Sequence, residues 1–333
     1  MKRRDKRVSA VVLAAGKSTR IKSSTPKVIM ELGGQPLIFY VLRTLTSLKA
    51  YLKQIIVVHG HKKELIKAVI SNEFKNIDFV YQKKLNGTAK AVESALSAIK
   101  EDNVLIVCAD TPLIERNTLN NFVQSYFKEN TVVSFITGRI KEENDLGRVA
   151  RDSKGQVIKI IEKQDLTYDL DEVNSGICCF KKDYLLKGLR KIKMNIKKKE
   201  YFLTDIIEIF SKQGLKISTY NLSNWRQITG INTQKAFSLA YNILNDKLLE
   251  KVMSRGVKVV DPGSTFLSYD TKIGENSVIY PFTFIEKNVI IGNNCFIGPF
   301  VHLRKDVVIE NNSSVRNFAD ISRSSLKKKS KKG

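Results

Sequence analysis

The residues best suited to chemistry lie between Val11 and Lys27, in the run Val11-Val12-Leu13-Ala14-Ala15-Gly16-Lys17-Ser18-Thr19-Arg20 and on to Pro26-Lys27. The apolar part reads as a strand covered on both faces. It runs straight into Gly16, where a missing side chain lets the backbone approach a ligand and the following N–H groups cradle phosphate. Lys17, Arg20, Lys22 and Lys27 put positive charge around that loop. Gly16-Lys17-Ser18 looks like the end of a Walker A motif, but that motif needs a glycine five positions before Gly16. Val11 stands there, so a P-loop ATPase is rejected.

The elements that must position this loop alternate in period. Helical spacing falls at Pro36–Leu48, Lys62–Ile70, Gly87–Ile99 and Arg116–Phe127. Strand-like runs fall at Gln54–Val58, Ile77–Tyr81, Asn103–Val107 and Thr131–Ile136. Such alternation predicts a doubly wound, mainly parallel α/β sheet, with ligands beyond the carboxyl ends of the strands. The loops after Ala15, Tyr81 and Cys108 are therefore expected to share one cleft. From about residue 145 the pattern loosens into a hairpin (Val149–Arg151 with Val157–Ile161), strands at Val173–Phe180 and Ile217–Asn221, a helix at Tyr201–Phe210, and a long connector helix at Thr233–Met253.

Beyond that helix the period changes again. Leu267, Ile273, Ile279, Ile285, Ile291, Ile297, Leu303, Ile309, Val315 and Ile321 fall on every sixth position. Neither helix nor ordinary strand produces this; the hexapeptide β-helix does. The next step reaches Lys327, so the solenoid is expected to end there and a lysine tail to follow.

The chain of 333 residues is 42% hydrophobic and 27% charged, with room for a large domain and a smaller one. No apolar run approaches a membrane span, and four cysteines without C-x-x-C spacing suggest neither a disulfide framework nor zinc. The expected compartment is the cytoplasm. The net charge of +24 concentrates at Lys2–Arg7, Lys197–Lys199 and Lys327–Lys332. No motif that reads nucleic acid accompanies it, so solvated faces and a disordered basic tail are the preferred reading.

Leu13-Ala14-Ala15-Gly16-Lys17-Ser18-Thr19-Arg20 with Pro26-Lys27 resembles the signature of sugar-nucleotide pyrophosphorylases. Asn86-Gly87-Thr88-Ala89, Asp110-Thr111-Pro112-Leu113-Ile114, Leu146-Gly147-Arg148-Val149, Ile161-Glu162-Lys163, Glu172 to Ile177, Glu200 to Asp205 and Gly230-Ile231-Asn232 follow in the family's order. With the hexapeptide segment attached, residues 7–326 resemble the bacterial bifunctional N-acetylglucosamine-1-phosphate uridyltransferase/glucosamine-1-phosphate acetyltransferase family. The resemblance implies Mg²⁺ held by Asp110 and Asn232, and triphosphate held by Arg20 and Lys27 as the catalytic cations. It assigns the nucleotide to Leu13, Ala14, Ala15, Gly16, Lys27, Gln82, Gly87 and Thr88, and the N-acetylglucosamine moiety to Gly147, Glu162 and Asn174. Physically, uridylyl transfer joins two polyanions, so cations and an oxygen-liganded metal are what it needs.

Plainer roles exist for these residues. Asp110 suits a cap for the following segment, Asn232 a cap for the connector helix, and Glu162 an exposed strand position. Lys17 and Lys22 read as solvated charges, and His59 and His61 as surface residues flanking Gly60. Two departures from the family pattern bear on nucleotide preference: Cys108-Ala109 stands where Tyr-Gly is usual, and Leu85-Asn86 where Gln-Leu is common. Ala109 adds a methyl where backbone approach matters.

For the second activity, Arg304 matches the family's first sugar-phosphate-binding arginine, Ser322-Arg323 stands where a lysine is expected, and His302 is not the catalytic histidine. The expectation is a chain, C-terminally shortened, that does not acetylate. The expected layout is a uridyltransferase domain at 1–232, a connector helix at 233–256, a truncated β-helix at 257–326 and a basic tail at 327–333, with a homotrimer through the β-helix as a possible assembly. The leading reading is transfer from UTP to N-acetylglucosamine 1-phosphate. The alternatives are another sugar 1-phosphate, a chain with both activities, and a non-catalytic polyanion-binding scaffold.

Overall fold

A computed structural model describes residues 6–16, 19–21, 23–142, 144–166, 170–322 and 325–326. Lys17, Ser18, Lys22, Arg323 and the lysine tail fall outside them. The chain divides into two units: residues 1–30 with 37–236, and residues 31–36 with 237–333.

In the first unit, β1 (Val8–Ala14) leads to the Gly16 loop. After the short ribbon of β2 (Glu31–Leu32) and β3 (Gln35–Pro36), which belongs to the second unit, come α1 (Leu37–Thr46), β4 (Leu52–His59), α2 (Lys63–Glu73) and β5 (Ile77–Tyr81). Then follow α3 (Thr88–Ala95), β6 (Asn103–Cys108), α4 (Arg116–Glu129), β7 (Val133–Arg139) and the hairpin β8 (Arg148–Arg151) and β9 (Val157–Ile161). The unit continues with β10 (Glu172–Lys181), α5 (Lys182–Leu189), α6 (Asp205–Lys212) and β11 (Ile217–Leu222), and α7 (Gln234–Met253) starts in it.

The main sheet runs β11-β7-β10-β6-β1-β4-β5. It is parallel except at β10, which pairs antiparallel with β6 and β7. Both faces are covered, which is why β1 is apolar at nearly every position. Val8, Ala10 and Val12 pack with Leu42 of α1, Ile66 of α2 and Phe122 of α4. Val11 packs on the opposite side with Val92 of α3, Leu185 of α5 and Ile206 of α6. A three-layer α/β sandwich results.

One helix expectation and one burial expectation shift. Apolar spacing extends the predicted helix over Tyr201–Phe210, yet α6 begins at Asp205. Tyr201 is instead extended, its N–H donating to the Asn86 carbonyl and its carbonyl accepting from Ala89 N–H. His59 is not on the surface: it ends β4, is 6% exposed and lies edge-on to Phe79. Burial lowers its pKa, so the imidazole is held neutral.

The second unit is a left-handed parallel β-helix of three four-stranded sheets, with successive coils in register at eighteen residues. The six-residue anchors fill its axis: Leu267, Ile279, Ile285, Ile297, Leu303 and Ile309 are at most 2% exposed. Corners need left-handed backbone. Asn276, Asn294 and Asn312 supply it at one corner, and Phe282, Phe300 and Phe318 at another. Those phenylalanines stack with centroids 4.7 and 5.2 Å apart, which offsets the strain of a bulky residue at positive φ.

One expectation about layout is corrected here and two details are added. Residues 31–36 go with the second unit rather than the first. The connector helix is also a cap: Leu249 and Val252 share the core of Leu267 and Ile285, and Asn245 exchanges hydrogen bonds with Thr265 and Leu267. Finally, the last pairing of the coil, still within the expected 257–326, departs from the six-residue period. Ile309 pairs with Leu326, one residue earlier than the six-residue step to Lys327.

Candidate active site

The carboxyl ends of β1, β5 and β6 open on one cleft of about 470 Å³. Leu13, Ala14, Ala15, Gly16, Arg20, Lys27, Gln82, Gly87, Thr88, Asp110 and Asn232 all line it. Parallel pairing in the order β6-β1-β4-β5 brings the three loops out at the same edge of the sheet. A Cβ on Gly16 would meet no atom within 4 Å. Glycine there keeps open space beside the backbone, which is what a phosphate cradle requires.

Lys27 sits in a single 3-10 turn after Pro26 and is 8% exposed. Its Nζ donates to Asp110 Oδ2 at 2.5 Å and to Asn232 Oδ1 at 2.7 Å. Asp110 follows β6, and its carbonyl accepts from Ile231 N–H at 2.9 Å, which carries Asn232 to the same point. The capping roles fall away. Glu115 precedes α4, and Thr233 Oγ1 accepts from Ala236 N–H at the start of α7. Asp110 and Asn232 turn their oxygens to a cation instead.

That donor set fits a hard divalent ion. One carboxylate and one amide oxygen converge on a positive charge, and so small a protein set leaves positions for water and phosphate oxygens.

Arg20 extends into solvent and donates to Asp145 Oδ2 at 2.8 Å. An exposed pair of this kind is worth little and exchanges readily for phosphate. Gln82 is 4% exposed, and its Nε2 donates to the Gly87 carbonyl at 3.3 Å. Gly87 has φ +113°, and a Cβ there would lie 2.3 Å from the Tyr201 carbonyl, so no other residue fits. Thr88 begins α3, and its Oγ1 accepts from Leu203 N–H.

A second cavity of about 210 Å³ shares Leu13, Thr88, Cys108 and Phe202 with the first. Glu162 and Asn174 line it. Gly147 adjoins them: its carbonyl accepts from Asn174 N–H at 2.8 Å, and a Cβ on it would come within 3.9 Å of Glu162 Oε1. The pairing of β10 with β7 is irregular between Asn174 and Cys178, and Gly176 there has φ +76°. Such an irregularity in a ladder re-aims a side chain at a site.

Glu162 is not an exposed strand residue. Burial first, then Asp165 and Glu200, push its pKa up, while a 2.7 Å hydrogen bond from Thr204 Oγ1 opposes them. Asp205 beside it is raised to about 6, by burial and then by Glu162. Cys108 is pushed up to about 12 by burial, so its thiol stays protonated. The methyl of Ala109 faces the core and not the cleft: Ala109 is fully buried and its N–H donates to the Leu13 carbonyl.

Sequence reasoning missed Thr204, which orients Glu162, and Asp145, which holds Arg20. Thr204 stood inside a recognised motif, so a hydroxyl beside a run of family residues was the available signal. Asp145 carried none.

A nucleotide-sized cleft at the carboxyl ends of a parallel sheet, floored by a lysine, a carboxylate and an amide, defines a nucleotide-handling α/β domain. The chain belongs to the nucleotidyl transferase family, whose pattern matches residues 9–239. The bacterial transferase hexapeptide (six repeats) family matches residues 270–305 and 288–321. Among relatives, the chain is 37% identical over 283 residues to the bifunctional protein GlmU of Pelotomaculum thermopropionicum, covering 83% of this chain and 60% of that protein. The bifunctional protein GlmU of Clostridioides difficile is 33% identical over 276 residues, covering 82% and 59%. That of Thermodesulfovibrio yellowstonii is 34% identical over 277 residues, covering 82% and 60%. The chain thus spans about 60% of the length of the curated relatives it matches.

Proposed function

We propose that this chain is an Mg²⁺-dependent uridyltransferase that converts UTP and N-acetylglucosamine 1-phosphate into UDP-N-acetylglucosamine and pyrophosphate, a product for peptidoglycan and lipopolysaccharide precursors. The observation that carries the proposal is the meeting of Lys27, Asp110 and Asn232 on the floor of the larger cleft, next to a smaller cavity holding Glu162 and Asn174. The larger space suits a nucleoside triphosphate and the smaller a sugar.

In the reaction a sugar-phosphate oxygen attacks the α-phosphorus, and the bond to the leaving pyrophosphate breaks, its electron pair going with the pyrophosphate. Mg²⁺, when bound, supplies charge neutralisation and polarises the phosphoryl oxygens. Asp110 and Asn232 would hold it. Arg20 and Lys27 stabilise the charge that develops on pyrophosphate. The backbone of Leu13 to Gly16, with Gln82, Gly87 and Thr88, fixes the nucleotide. Gly147, Glu162 and Asn174 orient the sugar. No protein nucleophile is required.

Acetyl transfer is outside the proposal. Arg304, the described residue that the resemblance assigns to it, is paired with Asp320 through two hydrogen bonds of 2.8 Å. Four free cysteines suit a reducing compartment, the cytoplasm, and no described helix is long and apolar enough to cross a membrane. Phe284, Ile290 and Phe296 are exposed on the β-helix and support assembly through that unit, with a homotrimer as the form to test by light scattering.

Pyrophosphate release from UTP with a panel of sugar 1-phosphates tests the substrate. N-acetylglucosamine 1-phosphate is expected to be the best acceptor; glucose 1-phosphate in that place would overturn the assignment.

A further inference from the structure

The floor of the cleft holds one cation already, and it is part of the chain. The Lys27 ammonium lies within hydrogen-bond distance of both oxygens that would take a divalent ion, Asp110 Oδ2 at 2.5 Å and Asn232 Oδ1 at 2.7 Å. The Lys27 and Asp110 side chains are only 10% and 19% exposed, so solvent screens the pair weakly. A hard divalent ion bonds oxygen at roughly 2.0–2.1 Å. An ion on these two oxygens would stand where the ammonium stands, and two cations at such separation repel strongly in a partly buried site.

We infer that Lys27 is a resident counter-ion that closes the metal site in the nucleotide-free protein, so that divalent metal enters only when nucleotide draws the ammonium away. The inference rests on the proposed nucleotide site. Lysine is suited to this task, because a compact charge on a flexible four-carbon stem exchanges one anion for another without moving the backbone. A triphosphate in the cleft offers Lys27 a denser anion than one carboxylate. Leaving Asp110 and Asn232, the ammonium frees both oxygens as the phosphate demands a metal. Nucleotide and metal then favour each other by the same factor, as linkage requires. The nucleotide-free protein also avoids a partly buried, unpaired carboxylate.

The test uses Mn²⁺ alone, without nucleotide, with free Mn²⁺ followed by electron paramagnetic resonance. Wild type and Asp110→Asn are expected to give the same titration, because Asp110 is not available. Lys27→Met is expected to gain a site at least about tenfold tighter than any in wild type, lost again in Lys27→Met/Asp110→Asn. Lys27→Gln, which keeps a donor but no charge, is a second variant should Lys27→Met fold poorly. Asp110-dependent Mn²⁺ binding in nucleotide-free wild type would overturn the inference, as would Lys27 variants that gain no site. Neither readout involves turnover. A chain that closes the metal site yet releases no pyrophosphate would therefore count against the uridyltransferase reading and not against the lock.

Discussion

At the scale of single residues, the cleft separates groups that hold charge from groups that hold shape. Lys27 and Asp110 carry charge in partial burial, and Asp110→Asn is expected to reduce pyrophosphate release by at least about a hundredfold while leaving far-UV circular dichroism unchanged. Thr204 positions Glu162 through one hydrogen bond. Thr204→Val is expected to raise KM for the sugar phosphate several-fold, with little change in KM for UTP, which steady-state kinetics with each substrate varied in turn would read. Glu162 and Asp205 also make the surroundings of the smaller cavity sensitive to pH. Asp205 has a folded pKa of about 6 against an ordinary 3.8, raised by burial and by Glu162. A raised carboxyl destabilises the fold only when ionised: the penalty is absent below about pH 4, grows as pH rises through about 6, and is complete above it. Asp205 is partly exposed, so solvent screening leaves roughly 1 kcal/mol or less. Carbon-detected NMR is expected to show a carboxyl titrating near pH 6 that moves down in Glu162→Gln.

At the scale of elements, the strands do the placing. Parallel pairing of β1, β4 and β6 aligns the ends from which the Gly16 loop and Asp110 emerge. This much was legible in the sequence, because strands buried on both faces are uniformly apolar and the helices between them show their own period. The reversed direction of β10 and the irregularity at Asn174 were not, since strand direction depends on partners distant in the chain. The start of α6 was misplaced for a related reason: Tyr201 and Phe202 have helical spacing, but hydrogen bonds to Asn86 and Ala89 hold Tyr201 extended. His59 was misread because one polar residue at a strand end carries no pattern. The lysine lock could not be read at all, since Lys27, Asp110 and Asn232 are distant in sequence and their meeting depends on the fold. Gly87 is where element and site meet. Gly87→Ala forces a Cβ against the Tyr201 carbonyl at positive φ, and is expected to cost about 1–3 kcal/mol, read as a lowered midpoint in urea, together with weaker UTP binding.

At the scale of the whole molecule, two units with separate cores serve separate purposes. The first gathers the cleft, and the second stacks Ile279, Ile285, Ile297 and Ile309 along an axis under the cap of α7. Calorimetry is expected to resolve two transitions. UTP with Mg²⁺ would raise the one belonging to the first unit, and Ile297→Ala, a fully buried position, would lower the other by a cavity cost of about 2–5 kcal/mol. The six-residue period made the β-helix readable from its anchors, whereas the early pairing of Leu326 was hidden because it departs from that period. The proposed uridylyl transfer rests on the first unit's cleft and the smaller cavity beside it. The most direct measurement is pyrophosphate release by the purified chain given UTP, N-acetylglucosamine 1-phosphate and Mg²⁺, run beside Asp110→Asn. Pyrophosphate from the wild type and almost none from the variant is the expected result; a wild type that binds UTP yet releases no pyrophosphate would contradict it.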